Sequence, residues 1–379
     1  MNSLDKVLSE KIAAMQESKL LRTLKTTERL KSAKVIRNGK KLISFSCNDY
    51  LGLALDKRVK KAAIAATKKY GTGAGASRLI TGNQPLYDIL ESKIAKICGT
   101  ESALVFGSGY MANLGAITTL VGSGDIIITD KLAHSCIIKG AKLSGAEFKR
   151  FPHNNIEQLA AMLEKYRHEY KSCLIVTEGV FSMDGDSPDM PALQEICHKY
   201  GAWLMVDNAH DLKHPIHGEN TIIMGTLSKA VGSYGGYIAG SKILIDYLKT
   251  TAKTLIYTTG LPPAILGASV KALDIIEKEQ WRVNKALENA AYFRETISKE
   301  IDGLEMGSSV SQIVPLMIGS IEETEKISQY LYDNGFLVSA IKPPTVPVNT
   351  SRLRFSFSAE HDKKDIDRLI ATLTRFYIK

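Results

Sequence analysis

The chain has 379 residues, 44% of them hydrophobic and 23% charged, with a net charge of +9. That length supports a large domain plus a smaller one around a sizeable core, and the composition excludes a disordered chain. No apolar run approaches the roughly 18 residues of a membrane span, the first ten residues lack the apolar core of a secretory signal, and five scattered cysteines without Cys-x-x-Cys argue against a disulfide framework or zinc ribbon. A cytoplasmic protein with reduced thiols is expected.

Residues 1 to about 40 read as helical, with Leu and Ile recurring among charges. The run 19–41 holds nine Lys or Arg and one acid, Glu28. It is either a solvated basic face or a surface attracting an anionic substrate; no motif points to nucleic acid. A short extended stretch is expected at 42–46. From about residue 100 the pattern alternates between apolar runs at 103–106, 126–129, 174–177, 203–206 and 222–224 and helical segments such as 156–170 and 190–200. Apolar runs without polar alternation predict a mostly parallel sheet covered on both faces, with 237–239 as a further strand. Leu261-Pro262-Pro263 breaks the pattern. One long helix over 264–300 and a small α+β region from about 313 to the end are expected. The predicted organisation is an amino-terminal helical arm (1–45), a large cofactor-binding domain (46–260), and a linking helix with a small carboxy-terminal domain (261–379).

Open α/β sheets bind ligands beyond the carboxyl ends of their strands. Polar groups cluster at five such ends, 107–110, 130–134, 178–182, 207–210 and 226–229. Lys229 follows Gly225-Thr226-Leu227-Ser228 and is flanked by apolar Leu227, Ala230 and Val231. A lysine in a walled site has its pKa lowered by desolvation, which frees the amine for a Schiff base; the alternative is one more surface lysine. Asp207 ends a buried run, where a carboxylate needs a partner. A protonated pyridine nitrogen is one such partner, and a helix or turn cap is the other reading. His210 stands three residues on, placed to reach a ring oxygen. His210, His214 and His217 invite a metal reading, which Pro215 and the lack of further ligands weaken; no metal is expected.

Gly107-Ser108-Gly109-Tyr110-Met111-Ala112 follows a strand and opens a helix, where backbone amides bind phosphate. The same spacing fits a dinucleotide fingerprint, with Asp130 as its ribose acid. A nicotinamide enzyme is therefore the competing reading, although it leaves Lys229 and Asp207 without a role. His134 is either a structural histidine or a flat ring that stacks on a cofactor. Arg352 and Arg354 share one strand face, and one of them is placed to clamp a carboxylate.

These motifs resemble the α-oxoamine synthases, pyridoxal-phosphate enzymes that join an amino acid to an acyl thioester with loss of carbon dioxide. The similarity runs from about residue 20 to the end. It rests on Asn48-Asp49-Tyr50-Leu51-Gly52-Leu53, the run 107–113, Glu178-Gly179-Val180-Phe181-Ser182-Met183-Asp184-Gly185-Asp186, the run 225–236 and Thr345-Val346-Pro347. Pro343-Pro344-Thr345-Val346-Pro347, the run 257–263 and Arg22 are most similar to the member that condenses L-alanine with a pimeloyl thioester, carried on coenzyme A or acyl carrier protein, in biotin biosynthesis. The resemblance implies fold type I of the pyridoxal-phosphate enzymes, the aspartate-aminotransferase type, as a homodimer with sites at the subunit interface. It implies that Lys229 holds the cofactor aldehyde and moves the α-proton, that Asp207 pairs with the ring nitrogen, and that His134 stacks on the ring. His210 and Ser182 would contact the ring oxygen, and Gly109, Tyr110 and Thr226 the phosphate. Thr258 would reach the phosphate of the neighbouring subunit. Arg354 would hold the amino-acid carboxylate, Asn48 and Thr345 would lie near substrate, and Arg22 would meet the carboxylate of the product tail. Two departures stand out. Asp207-Asn208-Ala209-His210 runs into Asp211-Leu212-Lys213-His214 instead of a glycine-rich loop, with only 22 positions from Asp207 to Lys229, and Lys342 stands where this member often has an arginine.

Overall fold

The computed structural model describes residues 2–213 and 218–378. His214 and His217, invoked in the metal reading, lie outside the described residues.

Seven strands form the central sheet: β1 (Ser102–Phe106), β2 (Ile126–Asp130), β3 (Glu147–Phe151), β4 (Cys173–Glu178), β5 (Trp203–Asp207), β6 (Thr221–Thr226) and β7 (Gly236–Gly240), in the order β1-β7-β6-β5-β4-β2-β3. β7 runs antiparallel to both its neighbours, and the links from β6 through β5, β4 and β2 to β3 are parallel. All six expected strands are present. β3, Glu-Phe-Lys-Arg-Phe, escaped detection because it is an edge strand whose alternating charges face solvent. Alternate residues of β1 enter opposite cores, Ala103 and Val105 into one and Leu104 and Phe106 into the other. Burial on both faces is why the central strands read as unbroken apolar runs.

The amino-terminal reading is corrected. Helix covers only Ser3–Glu17, and residues 28–44 form strands Glu28–Arg29, Lys34–Arg37 and Lys40–Ser44. The last of these pairs with Phe336–Leu337, and Ile43 and Phe45 pack into the carboxy-terminal core beside Phe293, Leu353 and Phe355. The expected helix at 264–300 is two helices, Pro263–Lys278 and Trp281–Glu300, broken at Glu279, whose side chain bonds Arg58 and Arg282. Helices that went unread include Lys57–Tyr70, Pro85–Cys98 and Lys242–Thr251. The small carboxy-terminal sheet is antiparallel, with Ser351–Ser356 between Ile313–Gly319 and Ser339–Ile341.

Candidate active site

Parallel register brings the carboxyl ends of β4 and β5 together, with Glu178 opposite Asp207 and Asp207 opposite Met224 of β6. Asp207 is 4% exposed. One of its oxygens accepts the Asn113 side-chain amide at 2.7 Å, and the other accepts the Ala209 N–H at 2.9 Å. Such donors are what a buried carboxylate requires. Glu178 accepts from the Ser182 N–H at 3.2 Å, while its other oxygen has no partner among the described residues. Burial and then the Asp207 charge push the Glu178 carboxyl well above its ordinary value.

Lys229 sits in the turn between β6 and β7. The turn is closed by Leu227 N–H to Gly235 O at 3.0 Å and Gly232 N–H to Lys229 O at 2.9 Å. Gly232 has φ +69, and a Cβ there would stand 2.4 Å from Ala54 N, so only glycine fits the turn. The Lys229 Nζ lies 2.6 Å from His210 Nε2. Burial pulls this amine below its ordinary value, against the opposing charges of Asp207 and Glu178. Burial, reinforced by Lys229, Arg354 and His134, also pushes His210 well below its ordinary value, so it is a neutral imidazole. Its Nδ1 lies 2.7 Å from the hydroxyl of Tyr50, a phenol that burial holds above its ordinary value. With Tyr50 donating to Nδ1, the ring hydrogen stands on Nε2, facing the lysine.

Arg354 closes this side of the site. Its Nε donates to Ser182 O at 2.5 Å, and the rest of its guanidinium meets Ser356 Oγ at 2.7 Å, Asn48 Oδ1 at 3.2 Å and the Tyr50 hydroxyl at 3.4 Å. Arg352, the other arginine of that strand, is committed to Asp184 at 2.5 Å, leaving Arg354 as the candidate clamp.

At the far side, the helix Gly109–Leu120 starts behind β1, capped by Ser108 Oγ accepting from Met111 N–H at 3.2 Å. A Cβ on Gly109 would lie 3.0 Å from Met224 Cε and 3.5 Å from the Thr226 side chain, and one on Gly236 would lie 2.5 Å from Gly109 N. The two glycines keep this helix start bare, as a bound phosphate requires. Tyr110 is exposed beside it. Thr258, expected to serve a neighbouring subunit, lies beside Gly107 of its own chain, its Cγ2 3.9 Å from a Cβ built there. His134 caps the helix Ser135–Ser144, with Nδ1 accepting from Cys136 N–H at 3.3 Å, and its ring is exposed. Desolvation on its packed side lowers its pKa.

Lys229, Asp207, His210, Ser182, Asn48 and Arg354 are thus joined in one network through Tyr50, Glu178 and the strand register. Arg22 and Thr345 meet each other at 3.2 Å on the surface. Lys342 is spent on Glu325 at 2.5 Å and Lys19 O at 2.6 Å. Tyr50, Asn113 and Glu178 stand in the motifs singled out from the sequence, but sequence reasoning gave none of them a role. Asn113 was detectable as a polar residue within the apolar Met111-Ala112-Asn113-Leu114-Gly115-Ala116, and Glu178 as an acid ending a buried run, like Asp207. The nicotinamide reading fails on topology. β1 pairs only with antiparallel β7, whereas Asp130 ends β2 near the opposite edge and bonds His153; a dinucleotide fold places those two strands together.

Comparison with known proteins agrees with this geometry. The family model for aminotransferase class I and II matches residues 40–373. The chain is 48% identical to the 8-amino-7-oxononanoate synthase of Methylorubrum extorquens, over 98% of this chain and 96% of that one. It is 45% identical to the enzyme of that name from Beijerinckia indica, over 97% and 96%. Among solved structures, a serine palmitoyltransferase from S. paucimobilis with a bound PLP–myriocin aldimine superposes with a TM-score of 0.92 at 27% identity, covering 99% of this chain and 98% of that chain. The 8-amino-7-oxononanoate synthase of Francisella tularensis gives 0.75 at 28% identity, covering 88% and 97%.

Proposed function

The chain belongs to the aminotransferase class I and II family, and from that premise we propose that it condenses L-alanine with a pimeloyl thioester to give 8-amino-7-oxononanoate in biotin biosynthesis. A carbon–carbon bond forms between the alanine Cα and the acyl carbonyl carbon, the thioester C–S bond breaks, and the alanine carboxyl leaves as carbon dioxide. The observation that carries this reading is a half-buried lysine amine with lowered pKa, 2.6 Å from a neutral histidine and in the field of a buried aspartate at a neighbouring strand end.

The residues fit pyridoxal phosphate. The bare helix start at Gly109, with Tyr110 and Thr226 beside it, suits the phosphate, Asp207 the pyridine nitrogen, the exposed face of His134 the ring, and Ser182 with His210 the ring oxygen. When bound, the cofactor supplies an aldehyde for amines and a protonated ring that draws electrons from the α-carbon. Lys229 would hold that aldehyde through Nζ, and the same Nζ, once free, would take the α-proton of alanine; its lowered pKa favours the free amine. Asp207 would hold a positive charge on the ring nitrogen. Arg354 orients the alanine carboxylate with Asn48. The neutral His210, steadied by Tyr50, is within reach of Nζ to pass hydrogen to or from it. Thr345 and Arg22 guide the acyl chain, with the Arg22 guanidinium meeting its terminal carboxylate.

The working form is a homodimer in the cytoplasm. Helix Ser3–Glu17 buries none of its residues and exposes Leu4, Val7, Leu8, Ile12 and Met15 at helical spacing, a stripe suited to a second copy. All five cysteines are free thiols, which a reducing compartment preserves, and among the described residues no helix is long and apolar enough to cross a membrane. Incubation with L-alanine and pimeloyl-coenzyme A should release free thiol and carbon dioxide in equal amounts; absence of thiol release would sink this function.

A further inference from the structure

His153 lies outside the site, just past the end of β3, and takes no part in the chemistry above. Its ring nonetheless bridges two carboxylates from two different strand ends. Nδ1 meets Asp130 Oδ1 at 3.0 Å and Nε2 meets Asp186 Oδ2 at 2.9 Å. The next residue repeats the bridge. The Asn154 N–H donates to Asp130 Oδ2 at 2.9 Å, and its side-chain amide donates to Asp186 Oδ2 at 2.9 Å. Asn154 adopts φ +51 to do so, a left-handed conformation that asparagine tolerates better than most residues. The edge of Phe181 closes over the imidazole, with ring centres 4.4 Å apart.

Each aspartate anchors a loop that faces the cofactor. Asp130 ends β2, and its Oδ1 also accepts the Leu132 N–H at 2.7 Å, two residues before His134. Asp186 closes the loop after β4, its carbonyl accepting the Phe181 N–H at 3.0 Å, next to Ser182. Ser182 O in turn holds Arg354. One ring therefore joins the support of His134 to the support of Ser182 and Arg354. Asp130 is fully buried, and a buried carboxylate is stabilised by a cation and donors bonded to it.

We propose that His153 is a positioning residue, which by bridging Asp130 and Asp186 locks the loops carrying His134 and Ser182 into one unit around the cofactor. This inference rests on the reading above, since the placement of His134 and Ser182 matters only with a cofactor between them. Against the lowering effect of burial, the hydrogen bonds and charges of Asp130 and Asp186 raise the imidazole to about 10, in keeping with a bridge that needs hydrogen on both nitrogens.

Nitrogen NMR of the cofactor-free protein, labelled at histidine and assigned with His153→Gln, tests the bridge itself. His153 should carry hydrogen on both nitrogens at pH 8.5, and a neutral ring at that pH would overturn the proposal. The effect on the site is read from pyridoxal phosphate affinity and from the circular dichroism of the bound cofactor's visible band. Ring orientation governs that band, and a change in global stability alone would not move it. His153→Gln should weaken affinity about 10- to 100-fold, the scale of a small misplacement of binding groups, and reduce the band at unchanged far-ultraviolet signal. Asp186→Asn, which keeps an acceptor while removing one charge, should act in the same direction and serves if His153→Gln does not fold. Wild-type affinity and an unchanged band in a folded variant would overturn the proposal. Thiol release by the wild type, measured alongside, judges the function separately: its absence would remove the proposed reaction and leave the NMR and binding results to decide the bridge.

Discussion

At the proposed cofactor end of the site, Asp207, His210, Tyr50 and Arg354 are each at most 5% exposed and each makes two or more polar contacts. At the proposed acyl end, Arg22 and Thr345 are exposed and touch through a single 3.2 Å contact, on backbone outside regular elements. The contrast follows from what each end is asked to do. Charge development at the α-carbon needs groups fixed before the substrate arrives. Recognition of a long flexible chain with a terminal carboxylate needs only a few weak contacts, each replaceable. Substitutions at the first end should therefore cost orders of magnitude, and at the second only small factors.

Ranked by expected effect, the sharpest break is Lys229→Ala. It should abolish thiol release while leaving the far-ultraviolet spectrum intact, because the turn is closed by backbone bonds rather than by the side chain. Asp207→Asn should lower kcat about 100- to 1000-fold, the scale for removing one preorganised electrostatic partner. Arg354→Lys keeps the charge but loses the fork. It should raise KM for alanine about tenfold or more, since bonds to charged groups are worth roughly 1.5–3 kcal/mol, with KM for the thioester nearly unchanged. In the cofactor-free protein, the lowered pKa of Lys229 means more free amine at pH 8 than on surface lysines. Brief acetylation read by mass spectrometry should label Lys229 ahead of them once its access is matched by a small reagent. At the weak end, Arg22→Ala should raise KM for the pimeloyl thioester only about two- to fivefold, the worth of one exposed hydrogen bond. If Arg22→Ala cost as much as Arg354→Lys, the contrast between the two ends would collapse.

The central strands were legible because burial on both faces writes an uninterrupted apolar run, and the strand-end residues Lys229, Asp207 and His210 were legible because each stops such a run. The partners that make them functional were not. Tyr50 reaches His210 across 160 positions, and Asn113 reaches Asp207 across 94, separations that no local period encodes. The amino-terminal region misled for a related reason. Residues 34–44 are strands only because Phe336–Leu337 and the carboxy-terminal core complete them, a partner the local pattern does not contain. The helix break at Glu279 is likewise written in Arg58 and Arg282 rather than in a proline or glycine. Lys342 illustrates the reverse case: its identity looked like a departure in substrate recognition, but its ammonium is occupied by Glu325 and Lys19.

The antiparallel placement of β7 has a consequence for how the site is assembled. β6, the Lys229 turn and β7 are consecutive in the chain, so this piece closes as a hairpin whose own ladder and turn bonds are near in sequence. Its loop-closure cost is small and its formation is fast compared with the parallel pairings to β5 and β4. The Lys229 amine is thus carried by a segment whose own ladder is local, while Asp207, His134 and Arg354 are brought to it by long-range docking. A refolding experiment that follows protection of the 226–236 backbone separately from that of β4 and β5 would see the lysine's scaffold order first, ahead of the acid it works against.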